Sequence, residues 1–186
     1  MSLSDRIWWT KKSRIKAEKR LLFKDISSQV ILLWYTIFSV FVSIYELKSP
    51  SPSQMFAVTM VSLSVLVLAV TLFIGNRDFK ERAMLIKQCY EQLSVIYAKS
   101  QQKECDLVLL EQEYQNILSM CENHEDIDHK NAIVSEFYNK PIADRDSLSK
   151  KPNKLMITSV IVKFIFKWFI LFILAIFPII LWVLLR

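Results

Sequence analysis

Three stretches of the chain carry no charged side chain: Ile26 to Tyr45, Ser49 to Asn76, and Trp168 to Leu185. A membrane-spanning helix needs roughly 20 predominantly apolar residues at about 1.5 Å rise each. The first two runs meet that length, and the third reaches it if Ile157–Lys167 extends its helix into the interface. Lipid tolerates only segments whose backbone polar groups are paired internally, so all three are predicted to be helices.

Between the second and third runs the pattern changes to a seven-residue repeat. Phe79, Ala83, Ile86, Tyr90, Leu93 and Tyr97 recur at 4-3-4-3-4, and Leu107, Leu110, Tyr114, Ile117 and Cys121 at 3-4-3-4. Such spacing predicts helices that pack knobs into holes, either as a hairpin within one chain or between copies. Ser100-Gln101-Gln102-Lys103 is the polar break between the two runs. No glycine or proline interrupts residues 77 to 121, so the second span is expected to continue as one long helix, bent at Gly75-Asn76. Asp126 or Asp128 is expected to cap a short helix containing Ile133, Val134, Phe137 and Tyr138. Pro141 and Pro152 mark residues 139–154 as a flexible linker.

The predicted fold is therefore an all-α membrane protein. Residues 1–25 form a basic amphipathic interfacial helix, 26–76 a transmembrane hairpin, 77–138 a helical coiled-coil-like region, 139–154 a linker, and 155–186 a C-terminal transmembrane helix.

Charge placement sets an expected topology. Arg6, Lys11, Lys12, Arg14, Lys16, Lys19, Arg20 and Lys24 precede the first span, whereas the loop after it holds only Glu46 and Lys48. Arg77, Lys80, Arg82 and Lys87 follow the second span, and Lys140, Arg145, Lys150, Lys151, Lys154, Lys163 and Lys167 precede the third. The positive-inside rule then places the N-terminus and the middle region in the cytoplasm, and Arg186 outside. Trp8 and Trp9, with Arg14 and Arg20, are expected at the headgroup layer of the inner membrane. So long a basic region with no small-x-small site after the apolar run argues against a cleaved signal peptide. Its fixation at the membrane argues against direct nucleic-acid binding.

Composition narrows the chemistry. The chain has 186 residues and a formal charge of +6, but one glycine, Gly75, which excludes the glycine-rich loops that cradle phosphates. Cys89, Cys105 and Cys121 fall in the expected cytosolic part and are read as free thiols. Cys121, His124, Asp126 and His129 lack the paired spacing of structural zinc sites, so a polar turn is expected there rather than a metal. No nucleophile signature is present, and neither catalysis nor a cofactor is expected. Inside the spans, Gln29, Thr36, Ser39 and Ser43 share one stripe, and Thr59 and Ser62 lie in the second span. Hydroxyls so placed either pack helices together or line a wet path in an assembly of several copies.

Some residues also carry a resemblance. Trp9-Thr10-Lys11-Lys12, Arg14, Ala17 and Glu18-Lys19-Arg20-Leu21 stand directly before two closely spaced spans. Tyr114-Gln115-Asn116-Ile117-Leu118 and Asn123-His124 follow in the helical region. From Trp8 to about Tyr138 the chain resembles the SLATT domain, a two-span effector module of bacterial anti-phage conflict systems, in its branch with an extra C-terminal span associated with reverse transcriptases. The resemblance implies a homo-oligomeric effector acting on membrane lipid. It would be triggered by a sensor protein, a nucleotidyltransferase or a reverse transcriptase, or by a cyclic nucleotide. Arg14, Arg20, Tyr114, Asn123 and His124 match the family pattern, with structural or regulatory roles implied. Two rivals stand beside a pore-forming effector: a non-catalytic scaffold tethering a partner through the heptad face, and an enzyme acting on lipid headgroups through Cys121, His124 or His129.

Overall fold

A computed structural model describes residues 2–50, 54–102 and 106–185. Lys103, Cys105 and Arg186, which figured in the expectations above, lie outside the described residues. All regular structure among the described residues is helical: α1 (Leu3–Lys48), α2 (Gln54–Gly75), α3 (Phe79–Ser100), α4 (Leu107–Ser119), α5 (Asp126–Asn139) and α6 (Lys154–Leu185), with a 3-10 turn at Ile142–Ser147. Three stretches, in α1, in α2 and in α6, are long and apolar enough to cross a membrane.

The chain divides into two compact units. One comprises Met1–Phe23 and Phe79–Lys163, the other Lys24–Asp78 and Phe164–Arg186. The helix expected to run on from the second span with a bend at Gly75-Asn76 is broken there, α2 ending at Gly75 and α3 starting at Phe79. The last turn of α2 closes with Asn76 N–H on Leu72 O (3.3 Å) and Arg77 N–H on Ile74 O (3.0 Å). Asp78 then takes a left-handed φ of 47°, a conformation aspartate tolerates better than most residues, and α3 starts anew at Phe79.

In the first unit, α3 and α4 pack on each other within the chain. Ile86, Leu93, Leu110, Tyr114 and Ile117 are buried as the repeat requires. The ridge of α3 is nonetheless Ala83, Ile86, Cys89, Leu93 and Ile96, so Cys89 and Ile96 take the interior places assigned to Tyr90 and Tyr97. Tyr90, Tyr97 and Phe79 flank the core half-buried, while Leu107 stays 61% exposed. The third partner is the start of α1, whose Leu3, Ile7, Thr10, Arg14, Ala17 and Leu21 repeat at 4-3-4-3-4. Ile7 joins the α3–α4 core and Ala17 and Leu21 pack with Ala83 and Ile86.

The segment after α5, expected as a linker, makes contacts of its own. Leu148 is buried with Trp9 and Ile133, and the 3-10 turn carries the chain across to that contact. Glu125 is the N-cap residue, and of the two aspartates expected to cap the helix Asp128 does so from the first turn, accepting the Glu125 N–H at 3.0 Å.

In the second unit, Phe38 and Val42 of α1, Phe56 of α2 and Trp182 of α6 form one cluster. Most other side chains of the spans, such as Val30, Ile37, Val65, Leu68, Phe166 and Phe172, are exposed, as suits helices surrounded by lipid.

Candidate functional site

The first unit contains a polar seam where its helices meet. The α1 repeat places Arg14 at an interior position, 1% exposed, next to α3 and the end of α4. Its Nη1 donates to the sulfurs of both Cys89 and Cys121, and its Nη2 reaches Leu118 O at 3.4 Å. Its Nε is buried with no hydrogen-bond partner among the described residues. Sulfur is a weak acceptor, so this cation is poorly compensated compared with one facing a carboxylate. Burial pushes the Cys89 thiol up to about 12, assisted by Cys121, so Cys89 is neutral near pH 7 and supplies no counter-charge.

Six residues on, Arg20 is well compensated. Its Nε donates to Asp128 Oδ1 (3.0 Å) and Nη2 to Oδ2 (3.0 Å), a bidentate fork, while Nη1 pairs with Glu125 Oε1 at 2.6 Å. Asp128 is 1% exposed, so this pair fastens α5 to α1 from inside.

On the adjoining side of α1, a relay runs from Trp9 to the strap after the 3-10 turn. Ser13 Oγ donates to Trp9 O (2.8 Å) and so can only accept from His129 Nδ1 (2.8 Å). The other ring nitrogen, Nε2, must then accept from Lys150 Nζ at 3.1 Å, since an ammonium only donates. Both contacts require neutral His129 carrying its proton on Nδ1. Trp9 Nε1 donates to Ser149 Oγ (2.7 Å), which donates on to Asp5 Oδ1 (2.6 Å).

Burial holds both His129 and His124 below the ordinary imidazole range, with Lys150 adding to the first and Arg14 to the second. Asp126 opposes the shift at both, and Asp128 opposes it at His124. A depressed histidine contributes stability that is complete above its unfolded value, about 6.5, and is lost as pH falls through the folded value. The thermal midpoint should therefore drop between pH 7 and 5.5, and His129→Gln should flatten that dependence. An unchanged midpoint for the wild type across this window would remove the neutral-histidine relay.

The residues expected at the headgroup layer are thus held by protein. Trp9 and Arg14 are buried, Arg20 is ion-paired, and half-buried Trp8 packs edge-on to Trp9 at 4.5 Å with Lys12 5.2 Å over its ring. A buried guanidinium has no surface left for lipid phosphate. Tyr114 OH shares a hydrogen bond with Thr10 Oγ1 (2.9 Å), the His124 and His129 rings lie tilted at 42° with centroids 5.9 Å apart, and Asn123 Oδ1 accepts the His124 N–H (3.0 Å). Asp126 pairs with Lys130 at 2.5 Å, and Cys121 accepts a hydrogen bond from Arg14 Nη1. Sequence reasoning missed Ser13, Cys89, Asp128 and Lys150. The one available signal was the α1 repeat itself, had Thr10 and Arg14 been admitted as seam positions.

In the second unit the polar stripe and the packing face of α1 are different faces. Gln29, Thr36 and Ser43 are exposed and Ser39 half-buried, whereas Tyr35, Phe38 and Val42 are buried. The hydroxyls bond back to their own helices: Thr36 to Leu33 O (2.8 Å), Ser43 to Ser39 O (2.8 Å), and Thr59 of α2 to Met55 O (2.8 Å). Ser62 is also exposed. Sequence reasoning also missed a contact at Pro178, which is buried within α6. Proline has no N–H for the carbonyl four residues earlier. That carbonyl, Leu174 O, accepts instead from Tyr35 OH at 2.9 Å, and Trp34 Nε1 donates to Ala175 O at 2.9 Å.

No match is found among curated proteins or among solved structures. The model of one family, described as the SMODS and SLOG-associating 2TM effector domain family 5, matches residues 1–185, and the chain belongs to that family of membrane effector domains.

Proposed function

We propose that this protein is a bacterial anti-phage effector whose copies assemble in the inner membrane and make it leaky when a sensor partner or nucleotide signal acts on the helical region. The observation that carries this reading is the exposed stripe of Gln29, Thr36 and Ser43 on α1, with Ser62 on α2. In a lone subunit Gln29, Thr36 and Ser43 bond only within α1, and the packing among its own spans leaves this face uncovered. Contact between copies, or a water path lined by several copies, gives them better surroundings. The helical seam supplies the regulatory part, because α1 and α6 each contribute residues to both units. The family is described by two spans, so the third apolar helix is a further membrane element whose place is fixed by Tyr35 and Trp34.

The test is flux from anionic lipid vesicles carrying the purified protein and an entrapped dye, with its partners added. Release is expected with the wild type and is expected to be lost in a Thr36→Leu/Ser43→Leu/Ser62→Leu variant that still inserts. Equal release from both, or none from either, would overturn the pore.

A scaffold that tethers a partner has one observation in its favour. Leu107, Val108 and Leu109 at the start of α4 are 61%, 79% and 57% exposed, an apolar edge suited to a protein partner. A scaffold leaves vesicle flux unchanged and loses partner binding in Val108→Asp.

A further inference from the structure

Cys89 and Cys121 are brought together from α3 and from the bend between α4 and α5. Both sulfurs take a hydrogen bond from the same nitrogen, Arg14 Nη1. The Cys89 S–H donates to Ile117 O at 3.2 Å. Both are free thiols. Their exposure differs: Cys89 is 2% exposed, whereas Cys121 is half-buried and lies outside any helix. This combination is more than ordinary core packing. Two sulfurs side by side, one reachable and one shielded, with a guanidinium donating to each, have the parts of an attacking and a resolving thiol.

We propose that Cys89 and Cys121 are a redox-responsive pair, converted by a hydroperoxide into an intrachain disulfide that ties α3 to the segment leaving α4.

The roles follow from burial and charge. Cys121 is the sulfur that meets the oxidant. As its thiolate it attacks the hydroperoxide, the S–O bond forms, the O–O bond breaks, and the alcohol (or water, from hydrogen peroxide) departs with a proton. Cys121 is then a sulfenic acid. Cys89 attacks that sulfur, the S–S bond forms, the S–O bond breaks, and hydroxide leaves as water with the Cys89 proton. In sum, two thiols and one hydroperoxide give one disulfide, one alcohol and one water, the two electrons passing to the O–O bond. The Cys89 thiol, pushed up by burial, is unsuited to the first attack, which assigns it the second. Arg14 donates to the sulfur on which negative charge develops and is in place for the departing hydroxide.

The experiment uses the full chain in detergent micelles with Cys105→Ser, so that only this pair remains, and repeats the measurement on the unaltered chain by peptide mapping. Exposure to dilute hydrogen peroxide should remove both titratable thiols, lower the intact mass by two hydrogens, and leave the chain monomeric on a non-reducing gel, all reversed by a dithiol. In Cys89→Ser the reaction should stop at a Cys121 sulfenic acid trapped by a cyclic diketone. Two thiols still titratable, a product that gains oxygen without losing two hydrogens, or a cross-link between chains would each overturn the proposal. Vesicle leakage is not among the readouts, so its outcome is separate from that of the pore.

Discussion

Arg20→Ala should destabilise the first unit by about 3–5 kcal/mol, because it leaves a buried carboxylate without its cation. Asp128 is 1% exposed and would retain only the Glu125 N–H at 3.0 Å. The reverse change, Asp128→Ala, should cost less. Arg20 has a second acceptor in Glu125 Oε1 at 2.6 Å, and its side chain is 18% exposed, so water reaches it. Simple loss of packing would order the two deletions the same way, the bulkier being worse by volume alone, so a double variant is what distinguishes a buried ion pair. The double variant Arg20→Met/Asp128→Leu removes both charges while keeping apolar bulk, and it should recover most of the loss. Thermal or urea midpoints in micelles, read through the Trp9 environment, measure all three. If Asp128→Ala proved as costly as Arg20→Ala, or the double variant no better than the single ones, the fork would not be what fastens α5 to α1.

The same fork shows where the sequence was legible and where it was not. The spans announce themselves because lipid imposes one rule on every residue of a run: Ile26 to Tyr45 has no charge to weigh against its length. The α3–α4 hairpin was half legible. Leu93, Leu110 and Ile117 mark the seam, but a strict seven-residue repeat put Tyr90 and Tyr97 inside where the helix turns Cys89 and Ile96 inward. The start of α1 was hidden by its own cations. Thr10 and Arg14 occupy seam positions, and a basic stretch ahead of a span has an obvious reading at the headgroups. Only tertiary structure shows that Tyr114, Cys89 and Cys121 are there to receive them. The strap after α5 had a single apolar anchor, Leu148, and one anchor makes no period. His129 drew attention as a possible metal ligand, yet both of its nitrogens are taken by Ser13 and Lys150, groups that no local spacing links to it.

The second large effect is expected in the spans. Tyr35→Phe should weaken the α1–α6 contact by about 1–2 kcal/mol, the range of a hydrogen bond between membrane helices. The reason lies in α6. Pro178 deprives Leu174 O of its helical partner, and in lipid there is no water to replace it, so Tyr35 OH at 2.9 Å is what satisfies that carbonyl. Tyr35 is 8% exposed, and phenylalanine would fill nearly the same space, so the loss isolates the hydroxyl. Pro178→Ala supplies the missing N–H from within α6. In that background Leu174 O is already paired, and Tyr35→Phe should then cost less than half as much. The four proteins of this cycle, compared by thermal midpoint in micelles, yield the coupling directly. Trp34→Phe, whose indole donates to Ala175 O at 2.9 Å, should depend less on Pro178, since the Ala175 carbonyl is not the one proline orphans. Equal cost of Tyr35→Phe with and without Pro178 would mean that the tyrosine serves α6 by packing alone, and the proline would lose its stated role as the feature that calls a donor from α1.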